Sequence, residues 1–148
     1  LGVFACVLAM KRRDQQVETI ADLAGLGQTN KALAFVFSML MFSLAGIPPL
    51  AGFFAKALVF LAAVKSGLYV LAVIGVLSSV VGAYYYLRIV KIMFFDEAAA
   101  PFEKTDGQAL VVMSIAALFV ALFVLPIIGG TVVDAATAAA KHLIAPAQ

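Results

Sequence analysis

The longest apolar stretch of the chain runs from Ala32 to Val64, and Lys56 is the one charged residue within it. A straight helix of this length would be about 50 Å long, whereas the hydrocarbon core of a bilayer is about 30 Å thick. The stretch is therefore too long for one straight membrane span and too short for two.

Gly46 and the Pro48-Pro49 pair lie near the middle of this stretch and predict that the helix is interrupted there. A proline lacks a backbone N–H and clashes with the preceding turn, and the residue before a proline is pushed out of helical conformation. We therefore predict a first half-helix over about 31–45, a break at 46–50 and a second half-helix from 51. Gly46, Pro48, Pro49 and Gly52 are expected to shape the break.

Shorter apolar and polar stretches complete the pattern. The run 1–10 is too short to span a bilayer and has its positive charges after it, unlike a signal peptide, so we interpret it as the end of a helix whose start is missing and the chain as a C-terminal fragment. Asp14, Glu18 and Asp22 recur every four residues and predict one amphipathic surface helix over 14–27, ended by Gly25 and Gly27. This helix would be either a plain connector or a contact surface for a neighbouring subunit.

The fold class that follows is all-α, a polytopic transmembrane helical bundle with one broken helix. Its expected segments are the helix end 1–10, a cytoplasmic connector 11–30, the broken span 31–65, a span 68–95, a cytoplasmic loop 96–108, a span 109–130 and an interfacial tail 131–148. Tyr84, Tyr85 and Tyr86, with Arg88 and Lys91 after them, are typical of a membrane interface. Small and hydroxyl residues within the spans, namely Ser38, Ser43, Gly75, Ser78, Ser79 and Gly82, are expected to be helix-packing contacts.

The distribution of lysine and arginine predicts the orientation. One side of the membrane collects Lys11, Arg12, Arg13, Lys31, Arg88, Lys91 and Lys104, and the other has Lys65 and Lys141. We expect the side with more cations to be cytoplasmic, which puts the C-terminal tail on the periplasmic side.

Composition supports an integral membrane protein, because 65% of the residues are hydrophobic and 12% are charged, against about 25% charged residues in soluble domains. The net charge of +2 gives no indication of nucleic-acid binding. Cys6 is the one cysteine, so this chain can form neither an internal disulfide nor a zinc site of paired cysteines. Glycine-rich nucleotide-binding motifs are also missing from the sequence, so we expect no redox cofactor on this chain.

Lys56 is the candidate functional residue. An amine in hydrocarbon loses the hydration that favours its charged form, so a lysine at membrane depth can accept and release a proton. The alternative is that Lys56 reaches the membrane surface along its own stem, with the span ending near Phe54. None of the acidic residues falls within a predicted span, so we expect no carboxylate partner for Lys56 on this chain. Its partner would come from helices missing here or from water.

Residues 42–60, FSLAGIPPLAGFFAKALVF, resemble the antiporter-like membrane subunits of proton-pumping NADH:quinone oxidoreductase, respiratory complex I, a family related to Mrp-type antiporters. Residues 82–95, GAYYYLRIVKIMFF, are similar to a later helix of the same family, and the two stretches together resemble the subunit N type. The resemblance implies a fold of fourteen helices with two of them broken, of which 31–65 would be the second. It places Lys56 at a lysine proposed to lie on the proton path.

What the resemblance implies for function is proton translocation in the inner membrane of a bacterium, within a hetero-oligomer of complex I membrane subunits. Quinone, FMN and iron–sulfur clusters would lie on partner subunits and no cofactor on this chain. Two alternatives stay open: a subunit of an Mrp-type Na⁺/H⁺ antiporter or membrane-bound hydrogenase, and a purely structural membrane subunit.

Overall fold

The computed structural model describes residues 2–12, 15–16, 19–98, 108–119, 130, 134–135 and 137–140. Its elements, in order, are α1 (Gly2–Ala9), β1 (Lys11–Arg12), β2 (Gln15–Gln16), a 3₁₀ helix (Ile20–Leu23), α2 (Leu26–Thr29), α3 (Lys31–Ala45), α4 (Ala51–Lys65), α5 (Tyr69–Phe95) and α6 (Gln108–Phe119). The predicted helical architecture is confirmed, apart from β1 and β2, which form a two-residue antiparallel pair. Most of the expected tail and the end of the last expected span, 120–129, lie outside the described residues.

The prediction of a single amphipathic helix over 14–27 is wrong. Asp22 accepts hydrogen bonds from the backbone N–H of Thr19, at 3.0 Å, and from its hydroxyl, at 2.8 Å. These local bonds start a new helical turn at Ile20 instead of continuing an earlier helix. Gly25 then adopts a left-handed conformation with φ of 68° and separates the 3₁₀ helix from α2. Gly27 does not end a helix; it lies within α2, where its lack of a side chain lets the ring of Phe94 approach.

The start of α3 is fixed by Asn30, whose side-chain oxygen accepts a hydrogen bond of 3.1 Å from the N–H of Leu33. This side-chain cap satisfies one of the N–H groups that have no partner within the helix. The helix ends at Ala45 and α4 begins at Ala51, so the interval that was expected to be non-helical, 46–50, lies between two helices.

The buried core lies around α3, from Ala34 to Met41. It brings together residues from α1 and the position just after it, the 3₁₀ helix, α2, α3 and the C-terminal part of α5, namely Cys6, Met10, Leu23, Leu26, Ala34, Phe37, Leu40, Met41 and Met93. Cys6 is fully buried and its thiol donates a 3.3 Å hydrogen bond to Ser114 Oγ, which joins α1 to α6. Cys6 is thus a packing residue of the core.

Helix α5 contacts both halves of the broken span. Near its start, Gly75 lies against the ring of Phe60 in α4, and near its end Met93 belongs to the core around α3. With 27 residues, α5 is about 40 Å long. Within the described residues it is the helix that is long and apolar enough to cross a membrane by itself.

Candidate functional site at the helix break

The end of α3 satisfies two of its four terminal carbonyl groups with backbone donors. Gly46 adopts a left-handed conformation with φ of 87°. The N–H of Ile47 donates to the carbonyl of Phe42, and the N–H of Gly46 donates to that of Ser43, both at 3.1 Å. This is the Schellman arrangement, which ends a helix and pairs the carbonyl groups of its last turn. The carbonyls of Leu44 and Ala45 are left without a backbone donor in this arrangement.

Lys56 supplies the missing donors. Its Nζ donates to the carbonyl oxygen of Leu44 at 2.8 Å and to that of Ala45 at 3.0 Å. The half-buried side chain therefore reaches back from α4 and places its amine at the C-terminal end of α3. A cation at this end of a helix is stabilised by the aligned peptide dipoles, by up to about 2 kcal/mol where it is partly buried.

Gly46 leaves the room that this side chain needs. A Cβ at position 46 would lie 3.1 Å from Cδ and 3.3 Å from Nζ of Lys56. Gly46 thus has two roles, since its positive φ ends α3 and its missing side chain admits the lysine.

The start of α4 is held by a residue of α3. Leu50, which precedes α4, has no side-chain hydrogen bond to the first turn. The N–H of Gly52 instead donates to Ser43 Oγ at 3.2 Å. A Cβ on Gly52 would collide with the backbone carbonyl of Ser43, so this approach of the two half-helices requires glycine.

The two half-helices therefore cap each other. Ser43 of α3 binds an N–H at the start of α4, and Lys56 of α4 binds the last carbonyls of α3. Such pairing is necessary in a membrane, because a backbone polar group without a partner in hydrocarbon costs several kcal/mol.

The structure brings three of the predicted site residues together: Gly46, Gly52 and Lys56. Pro48 and Pro49 lie in the connecting loop, are exposed and are joined by a cis peptide bond. Within this chain Lys56 has hydrogen-bond partners that were not expected, the carbonyls of Leu44 and Ala45. The expectation that a carboxylate partner comes from outside this chain stays a prediction. Helix α4 continues past Phe54 to Lys65. The alternative of a membrane span that ends near Phe54 stays a prediction.

Ser43 is the residue whose role sequence reasoning missed. It was expected only to be a packing contact, yet it accepts the hydrogen bond from Gly52. The available signal was its position, since a hydroxyl residue three positions before Gly46 lies in the last turn of a helix that is about to end.

These features define the chain as part of a helical membrane bundle in which a lysine and a glycine-lined contact hold a broken helix together. The family model for NADH:quinone oxidoreductase/Mrp antiporter transmembrane proteins matches residues 1–82. The chain belongs to this family.

Two curated relatives support the same assignment. The chain is 58% identical over 142 residues to NADH-quinone oxidoreductase subunit N 1 of Rhizobium meliloti (strain 1021), covering 95% of this chain and 29% of the relative. It is 61% identical over 123 residues to NADH-quinone oxidoreductase subunit N of Parvibaculum lavamentivorans, covering 82% of this chain and 26% of the relative. The chain thus spans less than a third of the length of these relatives.

A solved structure has a similar fold. A chain in the structure described as respiratory complex I from Thermus thermophilus with bound aureothin matches with a TM-score of 0.69 and 31% identity. The match covers 89% of this chain and 30% of the other. The helical arrangement described above is therefore similar to that of a part of this neighbour.

Proposed function

We propose that this chain is part of a proton-translocating membrane subunit of an NADH:quinone oxidoreductase, of the subunit N type, and that Lys56 is a protonatable relay group. The observation that carries the proposal is the position of the Lys56 amine on the carbonyls of Leu44 and Ala45 at the break.

The chemistry of the amine supports a relay. A protonated lysine has three N–H donors, and two of them are used by the carbonyls of Leu44 and Ala45. When the third proton leaves, the neutral amine still has two N–H groups and gains a lone pair where the proton was. Lys56 can therefore exchange one proton in a fixed direction while the end of α3 stays capped.

The relatives' names supply the context of the proposal. Two of them are named as subunits of NADH-quinone oxidoreductase, and a solved neighbour is part of respiratory complex I. We assign this chain the same kind of hetero-oligomer, with other membrane subunits as partners and with FMN, iron–sulfur clusters and quinone on other subunits. The membrane would be the inner membrane of a bacterium, with the C-terminus on the periplasmic side.

The test uses Lys56→Arg, Lys56→Met and the control Lys65→Met in the full-length protein within the assembled complex. NADH-driven proton pumping and the rate of quinone reduction are measured in the same membrane vesicles, normalised to assembled complex. Arginine keeps a cation and several donors but does not release a proton near neutral pH. Lys65 is an exposed lysine at the end of the same helix.

We expect Lys56→Arg and Lys56→Met each to lower both rates at least tenfold per assembled complex, because a blocked proton path also stalls the coupled redox reaction. Lys65→Met should leave both rates unchanged. Full pumping by Lys56→Arg would show that Lys56 only caps α3, which would favour a purely structural subunit. Sodium-dependent transport without any NADH-driven reaction would favour an Mrp-type antiporter.

A further inference from the structure

Ser43 contacts the start of α4 on the face that also bears Lys56. The N–H of Gly52 donates to Ser43 Oγ at 3.2 Å. Gly52 and Lys56 are four residues apart, so they lie one above the other on the same side of α4. That side is turned towards α3, because Lys56 also binds the carbonyls of Leu44 and Ala45.

Two points of attachment fix the rotation of α4 about its own axis, whereas one point does not. The first is the Ser43–Gly52 hydrogen bond and the second is the amine of Lys56. Leu50, the residue just before α4, contributes no side-chain hydrogen bond to the first turn. Ser43 therefore takes the capping role that the residue before a helix often has.

The glycine makes this contact specific. A Cβ at position 52 would lie 3.2 Å from Ser43 Oγ and would collide with the Ser43 carbonyl. The two backbones are thus close enough for the hydroxyl to determine where the first turn of α4 lies, and with it the stem of Lys56 one turn later.

We propose that Ser43 is a positioning residue for Lys56: through its hydrogen bond to Gly52 it sets the orientation of α4 and so the direction in which the amine presents its third N–H. This inference rests on the proposed relay function of Lys56. Ser43 itself neither gives nor takes the transferred proton.

The chain offers a matched control in the same helix. Ser38 is buried in α3, and its hydroxyl donates at 2.7 Å to the carbonyl of Ala34 within the helix. Ser38→Ala removes a hydroxyl from α3 without changing the contact to α4. Ser43→Thr, in contrast, keeps a hydroxyl oxygen at position 43.

The experiment measures NADH-driven proton pumping and quinone reduction per assembled complex for Ser43→Ala, Ser43→Thr and Ser38→Ala in the full-length protein. We expect Ser43→Ala to lower both rates about fivefold, the factor that corresponds to one hydrogen bond of ordinary net strength. The Ser43→Thr complex should retain at least half of the normal rates, and the Ser38→Ala complex should have normal rates. If Ser43→Ala lowers the amount of assembled complex, the threonine variant decides the question, since a well assembled but slow Ser43→Thr complex overturns the proposal.

A double-mutant comparison separates positioning from a general structural role. If Ser43 acts through Lys56, adding Ser43→Ala to Lys56→Arg should cause no further loss of the residual rate, because the group being positioned has already been replaced. An additional fivefold loss would overturn the proposal. A slow Lys56→Arg complex together with a normal Ser43→Ala complex would refute only the role of Ser43, whereas a fully active Lys56→Arg complex would refute the relay itself.

Discussion

At the scale of single residues, the break depends on two positions where a side chain would clash with neighbouring atoms. Gly46 and Gly52 are both glycines, but they serve different needs. Gly46 has a positive φ and leaves space for a side chain, while Gly52 lies inside a regular helix and leaves space for the backbone of Ser43. A carbonyl group cannot move aside as the end of a flexible side chain can, so the requirement at position 52 is strict.

Gly52→Ala should therefore push the two half-helices apart and break the hydrogen bond to Ser43. We expect a loss of about 1–3 kcal/mol in stability, the usual cost of overpacking, and a lower pumping rate. The control is Gly82→Ala in α5, where, in the part of the chain that the structure describes, an added Cβ meets only Tyr86 at 3.9 Å. Because alanine favours helices over glycine, this variant should be neutral or more stable by up to about 1 kcal/mol. Thermal unfolding of the purified complex in detergent compares the two, and equal melting temperatures would contradict the prediction.

At the scale of the elements, α3 and α4 are two short helices that depend on each other. Each has 15 residues and is about 22 Å long, which is less than the hydrocarbon thickness. Their facing ends therefore have to be satisfied at membrane depth. The Schellman bonds at Gly46, the amine of Lys56 and the hydroxyl of Ser43 do this with groups of the chain itself.

The way in which α3 ends can be tested with two glycines of positive φ. Gly46→Ala and Gly67→Ala should each cost about 1–2 kcal/mol, because both residues have left-handed backbone conformations, with φ of 87° and 75°. A Cβ at position 67 has no heavy atom of the described residues within 4 Å, whereas one at position 46 lies 3.1 Å from Lys56. The two variants should thus lose similar stability, measured by thermal unfolding, but only Gly46→Ala should lose proton pumping. Loss of pumping in both would mean that backbone strain, and not the displaced lysine, is the cause.

At the scale of the whole molecule, α5 links the exposed turn after α4 to the region where α3 begins. Residues of α4 lie beside its first half and residues of the core beside its second half. The broken span and α5 therefore run in opposite directions, and α5 contacts both α3 and α4. Most side chains of α5 are exposed in this structure, as expected for surfaces that face lipid or other helices.

The proposed orientation predicts from which side of the membrane a reagent reaches each end of α5. Ser66→Cys and Glu97→Cys, both at exposed positions, are introduced separately into the full-length protein with its other cysteines replaced. A membrane-impermeant maleimide should label position 66 only from the periplasmic side and position 97 only from the cytoplasmic side, in vesicles of the two orientations. Cys6 is fully buried and, kept as the sole cysteine, should stay unlabelled in both. The reverse labelling pattern at positions 66 and 97 would show that the orientation is opposite to the proposed one.

The local chemistry of the chain predicted much of the fold. The break at 46–50 followed from Gly46 and the two prolines, because these residues limit the backbone wherever they occur. The prediction of one helix over 14–27 was wrong because local contacts outweighed the spacing of the acidic residues. That spacing suits a helix, but the local bonds between Thr19 and Asp22 and the left-handed Gly25 favour short separate turns.

The sequence by itself determined that this protein is a helical membrane bundle, that one span is broken and that a lysine lies just beyond the break. These follow from hydropathy and from backbone limits that need no tertiary contacts. Only the tertiary structure decided what the lysine binds. Backbone carbonyls have no signature in the sequence, since every residue has one, and those of Leu44 and Ala45 become available only because α3 ends where it does and α4 turns Lys56 back towards them.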